Sequence, residues 1–420
     1  MRKRIWQGLG VGLLFVAMAG VGSADELTYV DRIVDNAVLS CASSAGVSPD
    51  GNFVYVAAPC NSAIGVYARN HDTGALSFQS VVKDGVGGID GIAGVVTLAL
   101  SSNGLYLYAA GSFSRAIAVF SRNVQTGALT QIQAMVDGQG GVDGLYGVNQ
   151  LALSADEESL YSSAYFDFAV AAFDRDPATG LLTFVRQRSY TPGETPDLGN
   201  ANGIAVSPDG GTVYVGSESR RVFLFNRTAN DIVYSGTTLF STLAQPLGGP
   251  TYMKFSPDGA QLYVAAEFDR AITIFDLGVA GALTNPRFVS DGAGGSSSRG
   301  VQGFVFNAAG TRLYGTVLDP GAVVDFSRDP LTGELTFIES HVGLIAPSVL
   351  LADPGEPALS PDEKHLYVPD GGQIVIFATA APEPGAVAAM GVALLCLAAA
   401  AQLRGAASSR VRAPRVSRRP

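Results

Sequence analysis

One phrase is written seven times along the chain. "VSPDGNFVYVA" at residues 47 to 57 returns as "LSSNGLYLYAA", "LSADEESLYSS", "VSPDGGTVYVG", "FSPDGAQLYVA", "FNAAGTRLYGT" and "LSPDEKHLYVP". Its tyrosines, Tyr55, Tyr108, Tyr161, Tyr214, Tyr263, Tyr314 and Tyr367, stand 53, 53, 53, 49, 51 and 53 residues apart. Seven units of this length make an array of supersecondary units, none of which can bury its own faces alone.

Each unit contains an apolar alternating run, a tight turn such as Ser48-Pro49-Asp50-Gly51, and a second run that carries the tyrosine. That order predicts a strand, a turn and an antiparallel strand. A third run ends in an aromatic residue (Tyr67, Phe120, Phe173, Phe225, Phe275, Phe326 or Phe377), and in several units a Thr-Gly pair then leads to a fourth run such as "LTF". With four short strands per unit and no helical periodicity, the chain reads as all-β, a seven-bladed β-propeller over residues 25 to 379. The seventh unit lacks its fourth run, but "ELTYVDRI" near the start copies "ELTFIESH" of the sixth. The N-terminal strand is therefore expected to complete blade seven and close the ring.

The turn at Ser48 to Asn52 fixes which residues face each other across blade one, and Cys41 falls opposite Cys60. A disulfide between them is the expected state in an oxidising compartment, two separate buried thiols being the alternative. Cys396 lies in the C-terminal segment.

The repeat "SPDGxxLYVA…AIxVFxRDxxTGxLTF" resembles the lactonase-type seven-bladed propellers, which include 6-phosphogluconolactonase-like and muconate-lactonising enzymes, and the related YVTN surface-layer propellers. The WD40 pattern fits less well, since no Gly-His or Trp-Asp pairs recur and Trp6 is the one tryptophan. The resemblance implies a ligand pocket at one mouth of the central channel and raises lactone hydrolysis as an activity. Members of this type often carry a "GPRH"-like run before an inner strand. Here the nearest run is "GGPTYMKFSPDG", with Thr251 and Tyr252 in place of the arginine and histidine.

Both ends read as targeting segments. Residues 1 to 24 have a basic start, an apolar run and small residues before Asp25, the pattern of a cleaved secretory signal, with an uncleaved anchor as the alternative. Residues 380 to 420 hold Pro382-Glu383-Pro384, an apolar run from Gly385 to Leu403 and six arginines, a sequence similar to the PEP-CTERM sorting signal. That likeness implies one transmembrane helix, an exosortase-type processing protease as partner, and a mature protein in the cell envelope or outside the cell. Between these ends stand 18 basic and 36 acidic residues, a net charge near −18 that disfavours nucleic acid and anionic membranes as partners. Contact with a membrane is expected only through the C-terminal helix.

Chemistry is harder to place. No G-x-S-x-G, H-E-x-x-H or C-x-x-C occurs, and there are three histidines: His71 in an outer turn, His365 in a second strand, and His341 after a fourth. The links expected at the channel mouth supply Glu218, Arg220, Glu267, Asp269 and Arg270 as candidate catalytic groups, with Arg115, Asp167 and Asp319 beside them. Asn149, Gln150, Asn200 and Asn202, at the starts of inner strands, are placed to point into the channel and, with Arg115, bind a ligand. The glycine-rich stretch "DGVGGIDGIAG" from Asp84 returns as "DGQGGVDGLYG" from Asp137 and, decayed, as "DGAGGSSSRG" from Asp291. It leads into a strand and not a helix, so it lacks the helix N-terminus that phosphate loops use. Its glycines fit turns with positive φ and its aspartates fit turn caps; the alternative is calcium held by Asp84 with Asp90 and by Asp137 with Asp143. Three functions follow: an exported binding or structural surface module engaging exopolysaccharide or surface proteins, a lactone hydrolase using pocket carboxylates with or without a divalent cation, and a calcium-stiffened propeller.

Overall fold

The tyrosine-bearing second strands are the centre of every blade, and their side chains are buried because each is covered on both faces by a neighbouring blade. The computed structural model describes residues 27–189, 196–228, 231–239, 247–290 and 300–379. The signal segment, the C-terminal sorting segment and the third glycine stretch lie outside the described residues. Among the described residues no helix is long and apolar enough to cross a membrane.

The architecture is a ring of seven four-stranded antiparallel sheets. Blade one is typical: Ser44–Val47 inside, then Phe53–Ala58, Ala63–Arg69 and the outer Leu76–Lys83. Blade seven takes Ala358–Leu359, His365–Asp370 and Gln373–Ala378 from the end of the chain, and its outer strand is Thr28–Val34 from the start. Thr28 faces Ala378 and Tyr29 faces Phe377, so the N-terminal strand closes the ring as the repeat pattern requires. The seven apolar clusters each fill one interface between adjacent blades, the last joining Tyr367 and Ile376 to Val54 and Tyr67.

One polar device recurs at these interfaces. The arginine that ends a third strand reaches back to the repeat tyrosine of the preceding blade, through Nε in every case but Arg227, while its Nη atoms bond groups in or beside the hairpin turns of its own and the preceding blade. Arg122 binds the Tyr55 hydroxyl at 2.7 Å, the Gly104 carbonyl at 3.0 Å and the Asp50 carboxylate at 2.7 Å. Arg69 does the same to Tyr367 and Asp362, and Arg328 to Tyr263 and Asp258. Arg175 meets Tyr108 and Glu157, while Arg227 meets Tyr161 and Asp174. The tyrosine in turn donates to a glycine carbonyl of the next blade's Thr-Gly turn, as from Tyr55 to Gly127 and from Tyr367 to Gly74, both at 2.9 Å. Two interfaces lack the arginine: Leu277 and Thr379 stand at its position. Charge-assisted bonds of this kind are worth more than neutral ones, and each repeat tyrosine so engaged has its hydroxyl paired to an arginine.

Cys41 and Cys60 form a disulfide with Cα atoms 5.5 Å apart. Ser44 pairs with Ala57 and Ala45 with Val56, so the cysteines continue the ladder's register. They do so from turns, however: the inner strand begins only at Ser44, and Cys60 sits in the short 3-10 turn Pro59–Asn61.

Candidate functional site

The inner strands line the bore of the ring, and their register decides which side chains enter it. Counting back from the serine or asparagine that opens each hairpin turn (Ser48, Ser101, Ser154, Ser207, Ser256, Asn307, Ser360) puts equivalent residues at equal depth. Five of the inner strands carry a register shift at the fifth residue back, between Val95 and Thr97, Val148 and Gln150, Ala201 and Ile204, Pro250 and Tyr252, and Val301 and Gly303. A bulge re-aims the side chain it displaces, so two consecutive residues per strand reach the bore.

The upper of these levels holds Val96, Asn149, Asn202, Thr251 and Gln302, with Ser43 and Gly355, and all line one cavity of about 290 Å³. Glu267 reaches the same cavity from the link after the second strand of blade five, and Asp353 and Glu356 reach it from the long link into blade seven. The Asn149 amide donates to the Asn202 side chain, and Gln302 bonds Glu267. Burial pushes the Glu267 carboxyl above its usual range; the Gln302 bond opposes this and nearby Glu218 adds to it.

One level deeper, four residues back from the turn, the ring contains Ser44, Thr97, Gln150, Tyr252 and Glu356, with glycines at 203 and 303. Glu356 sits among the hydroxyls: Ser44 donates to it at 3.0 Å, Thr97 at 3.3 Å, and Tyr252 also bonds it. Its backbone is held against blade one, with its amide on the Ser43 carbonyl and its own carbonyl accepting from Ala45. Burial raises its pKa, and Lys254 with the hydroxyl donors partly offsets that; the Tyr252 hydroxyl is pushed well above its normal value by burial and by Glu356. Lys254 lies below in a second cavity of about 330 Å³.

The candidates named from sequence therefore divide. Asn149, Gln150, Asn202 and Glu267 converge on the mouth. Asn200 and Glu218 belong to a shallower depression, where the Asn200 amide and the Glu218 carboxylate meet the Tyr165 hydroxyl at 2.7 and 3.0 Å. Asp269 is occupied by structure, accepting from the Gly248 amide at 2.7 Å and pairing with Arg220 at 2.9 Å. Arg270 follows in the same turn with a positive φ, and Asp319 precedes a proline in the corresponding turn of blade six. Arg115 stacks 3.8 Å above the Tyr146 ring and does not line the mouth. His365 is buried beside Arg69, and burial first and then the Arg69 charge lower its pKa. His71 meets Asn52, and His341 lies in the outer strand of blade six against Phe377. Glu356, Tyr252 and Lys254 as a polar group were not found from sequence. The signal was present: aligned on the turn serine, Glu356 and Lys254 are the charged outliers of otherwise neutral levels.

The glycine stretches cross the mouth face from each fourth strand to the next inner strand. Asp84 accepts from the Ile92 amide at 3.0 Å and Asp137 from the Leu145 amide at 3.1 Å, while Asp90 and Asp143 cap Gly91 and Gly144. Gly94 and Gly147 have φ near +62° and +74°, and a Cβ on either would strike the ring of Phe113 or Phe166. The second stretch differs in one respect: Asp167 caps Tyr146 where Ser114 caps Ala93 in the first. Asp137, Asp143 and Asp167 thereby bring three carboxylates within 4.8 Å of one another, the one such trio among the described residues. Burial first, then these neighbours, raise the Asp167 pKa. Among the described residues the Asp84 and Asp90 pair is joined by no third carboxylate.

The rim of the mouth face is aromatic. Phe113, Phe166 and Phe268 occupy equivalent turns of blades two, three and five and are exposed by 77%, 53% and 57%. Tyr146 packs on Phe166 with ring centres 5.1 Å apart.

The family described as "Lactonase, 7-bladed beta-propeller" matches residues 22–145 and 97–234. No curated protein matches the sequence. Among solved structures, a candidate 6-phosphogluconolactonase from Bacteroides uniformis is similar over 73% of this chain and 84% of its own, at 18% identity and a TM-score of 0.56. A protein of unknown function from Desulfotomaculum acetoxidans gives 18% identity, 76% and 89% coverage, and a TM-score of 0.57. The β-propeller domain of Cps50 (Swd1) from Myceliophteria thermophila reaches 0.61 at 14% identity, covering 84% of this chain and 99% of that one. At such identities the likeness speaks for the fold.

Proposed function

Since the chain belongs to the lactonase family of seven-bladed β-propellers, we propose that it uses that scaffold as an exported binding module that takes a saccharide at the channel mouth. The observation that carries this reading is the ring of side-chain amides, Asn149, Gln150, Asn202 and Gln302, lining the cavity. Each amide both donates and accepts, which matches the hydroxyls of a neutral sugar. The exposed rings of Phe113, Phe166 and Phe268 on the same face supply flat apolar surfaces beside it. A phosphorylated sugar suits the mouth poorly, because its charged lining residues are Glu267, Asp353 and Glu356, all acidic. The disulfide fits an oxidising compartment, and envelope display after exosortase-type processing is part of the same proposal. The test is titration of neutral oligosaccharides into the purified protein, with Asn149→Ala/Asn202→Ala as the control. Binding that weakens about tenfold or more in the double variant is expected; no binding of any neutral glycan overturns the reading.

Lactone hydrolysis is the second reading, favoured by the family and by the burial that raises the Glu267 pKa, the direction that makes a carboxylate a stronger base. It requires turnover of a small lactone that Glu267→Gln abolishes.

A further inference from the structure

The level two residues back from the turn shows a second departure from the repeat. Six blades place Gly46, Val305 or an alanine there, and blade five places Lys254. The small residues leave the bore open, and the lysine is the one long side chain that projects into it at this depth. Its surroundings are protein on all sides, yet the side chain itself is exposed, because what it faces is the bore.

The chamber around it has a charge that is incompletely matched. Among the described residues Lys254 makes no hydrogen bond or ion pair; the charge it feels is that of Glu356. Glu356 in turn is engaged by the hydroxyls of Ser44, Thr97 and Tyr252. The ammonium thus keeps its donors for another acceptor, and a carboxylate gives it a charge-assisted bond. Leu151, Leu153, Ile204, Val206, Met253 and Phe255 border it, but their side chains pack into the blade interfaces, so the surface facing the space is mainly polar. At about 330 Å³ the space lies at the small end of ligand cavities, which run from roughly 300 to 1,000 Å³.

We propose that this lower chamber is a second binding site, below the saccharide mouth, for a small organic monocarboxylate whose carboxylate pairs with Lys254. One ammonium balances one negative charge, and Glu356 above it repels a more highly charged anion, so phosphate and dicarboxylates are disfavoured. A metal cation is disfavoured by Lys254 itself. Burial lowers the lysine pKa and Glu356 partly restores it; a carboxylate bound beside the ammonium would restore it further.

Hexanoate and its uncharged analogue hexanamide separate charge from shape. Calorimetric titration of the purified protein is expected to show hexanoate binding about tenfold or more tighter than hexanamide, since a charge-assisted bond is lost in the amide. Lys254→Met should weaken hexanoate by a similar factor and melt no lower than the parent, because it removes a charge and keeps the side-chain length. Lys254→Arg should retain the preference for hexanoate, which a merely structural lysine would not predict. The proposal is overturned by equal affinity for acid and amide, by hexanoate binding that survives in the folded Lys254→Met variant, or by no binding of hexanoate up to about 10 mM. Saccharide binding is a separate titration, so either proposal can fail alone.

Discussion

The two ends of the propeller's strands obey different rules. On the hairpin-turn face, blade after blade repeats one device: a tyrosine from a second strand, an arginine from the next blade's third strand, and an acidic group in or beside the turn. Along the bore, equivalent positions hold different residues in nearly every blade: serine, threonine, glutamine, glycine, tyrosine, glycine and glutamate at the level of Glu356. Every blade interface faces the same mechanical problem, and five of the seven meet it with this arginine. A ligand in the bore is met once, from seven directions, and each direction can differ. Repetition therefore marks what holds the ring together, and broken repetition marks where it can act.

The sharpest challenge to this comparison is removal of the closing strand. Deleting residues 25 to 34 takes away Leu27 and the whole ladder to Gln373–Ala378. Its loss should lower the melting temperature by roughly 5 °C or more, since each kcal/mol shifts the melt by about 2–4 °C in domains of 150–250 residues and by less in a larger one. An unchanged melt would mean that the ring is held by its interfaces and not by its closure.

Next comes the arginine device. Arg69→Met leaves Asp362, Tyr367 and the Gly51 carbonyl without their shared donor, at a cost of about 2–3 kcal/mol once the partial exposure of Asp362 is allowed for. Burial acts to raise the Asp362 pKa, but the bonds from Ser360, Arg69 and the Lys364 amide outweigh it and bring it from 3.8 down to about 2. A depressed carboxylate gives its full contribution above the unfolded value and loses it as pH falls through the folded one. The difference in urea midpoint between parent and variant should accordingly be constant above about pH 4 and shrink towards pH 2. A difference that stays constant down to pH 2 would remove Asp362 from the account.

The smallest effect belongs to the bore. Gln150→Ala should change stability by no more than about 0.5 kcal/mol, because the side chain faces the open channel and belongs to no interface cluster. A large loss there would erase the distinction between holding and acting positions.

Much of this was written in the repeat. The period gave seven blades, the copied "ELT" run gave the closure, and the hairpin register brought Cys41 to Cys60. Asn149, Gln150 and Asn202 were placed at the bore by the same register. The mouth was legible only in part. Glu267 and Glu218 occupy the same position of adjacent blades, yet one enters the channel and the other bonds Tyr165, a distinction set by their neighbours and not by their place in the repeat. Asp269 and Arg220 looked equally suited to chemistry and are a loop tie.

The sequence by itself determined the ring, because a hydrogen-bonded strand has a period of two and a blade a period near fifty, and both are visible along a line. Tertiary structure alone decided which polar groups meet. Glu356 comes from the end of the chain, Thr97 and Ser44 from its first quarter, and Tyr252 from between them. They share one carboxylate only because closing a circle brings its first and last arcs to the same axis, and no local pattern records a distance across a circle.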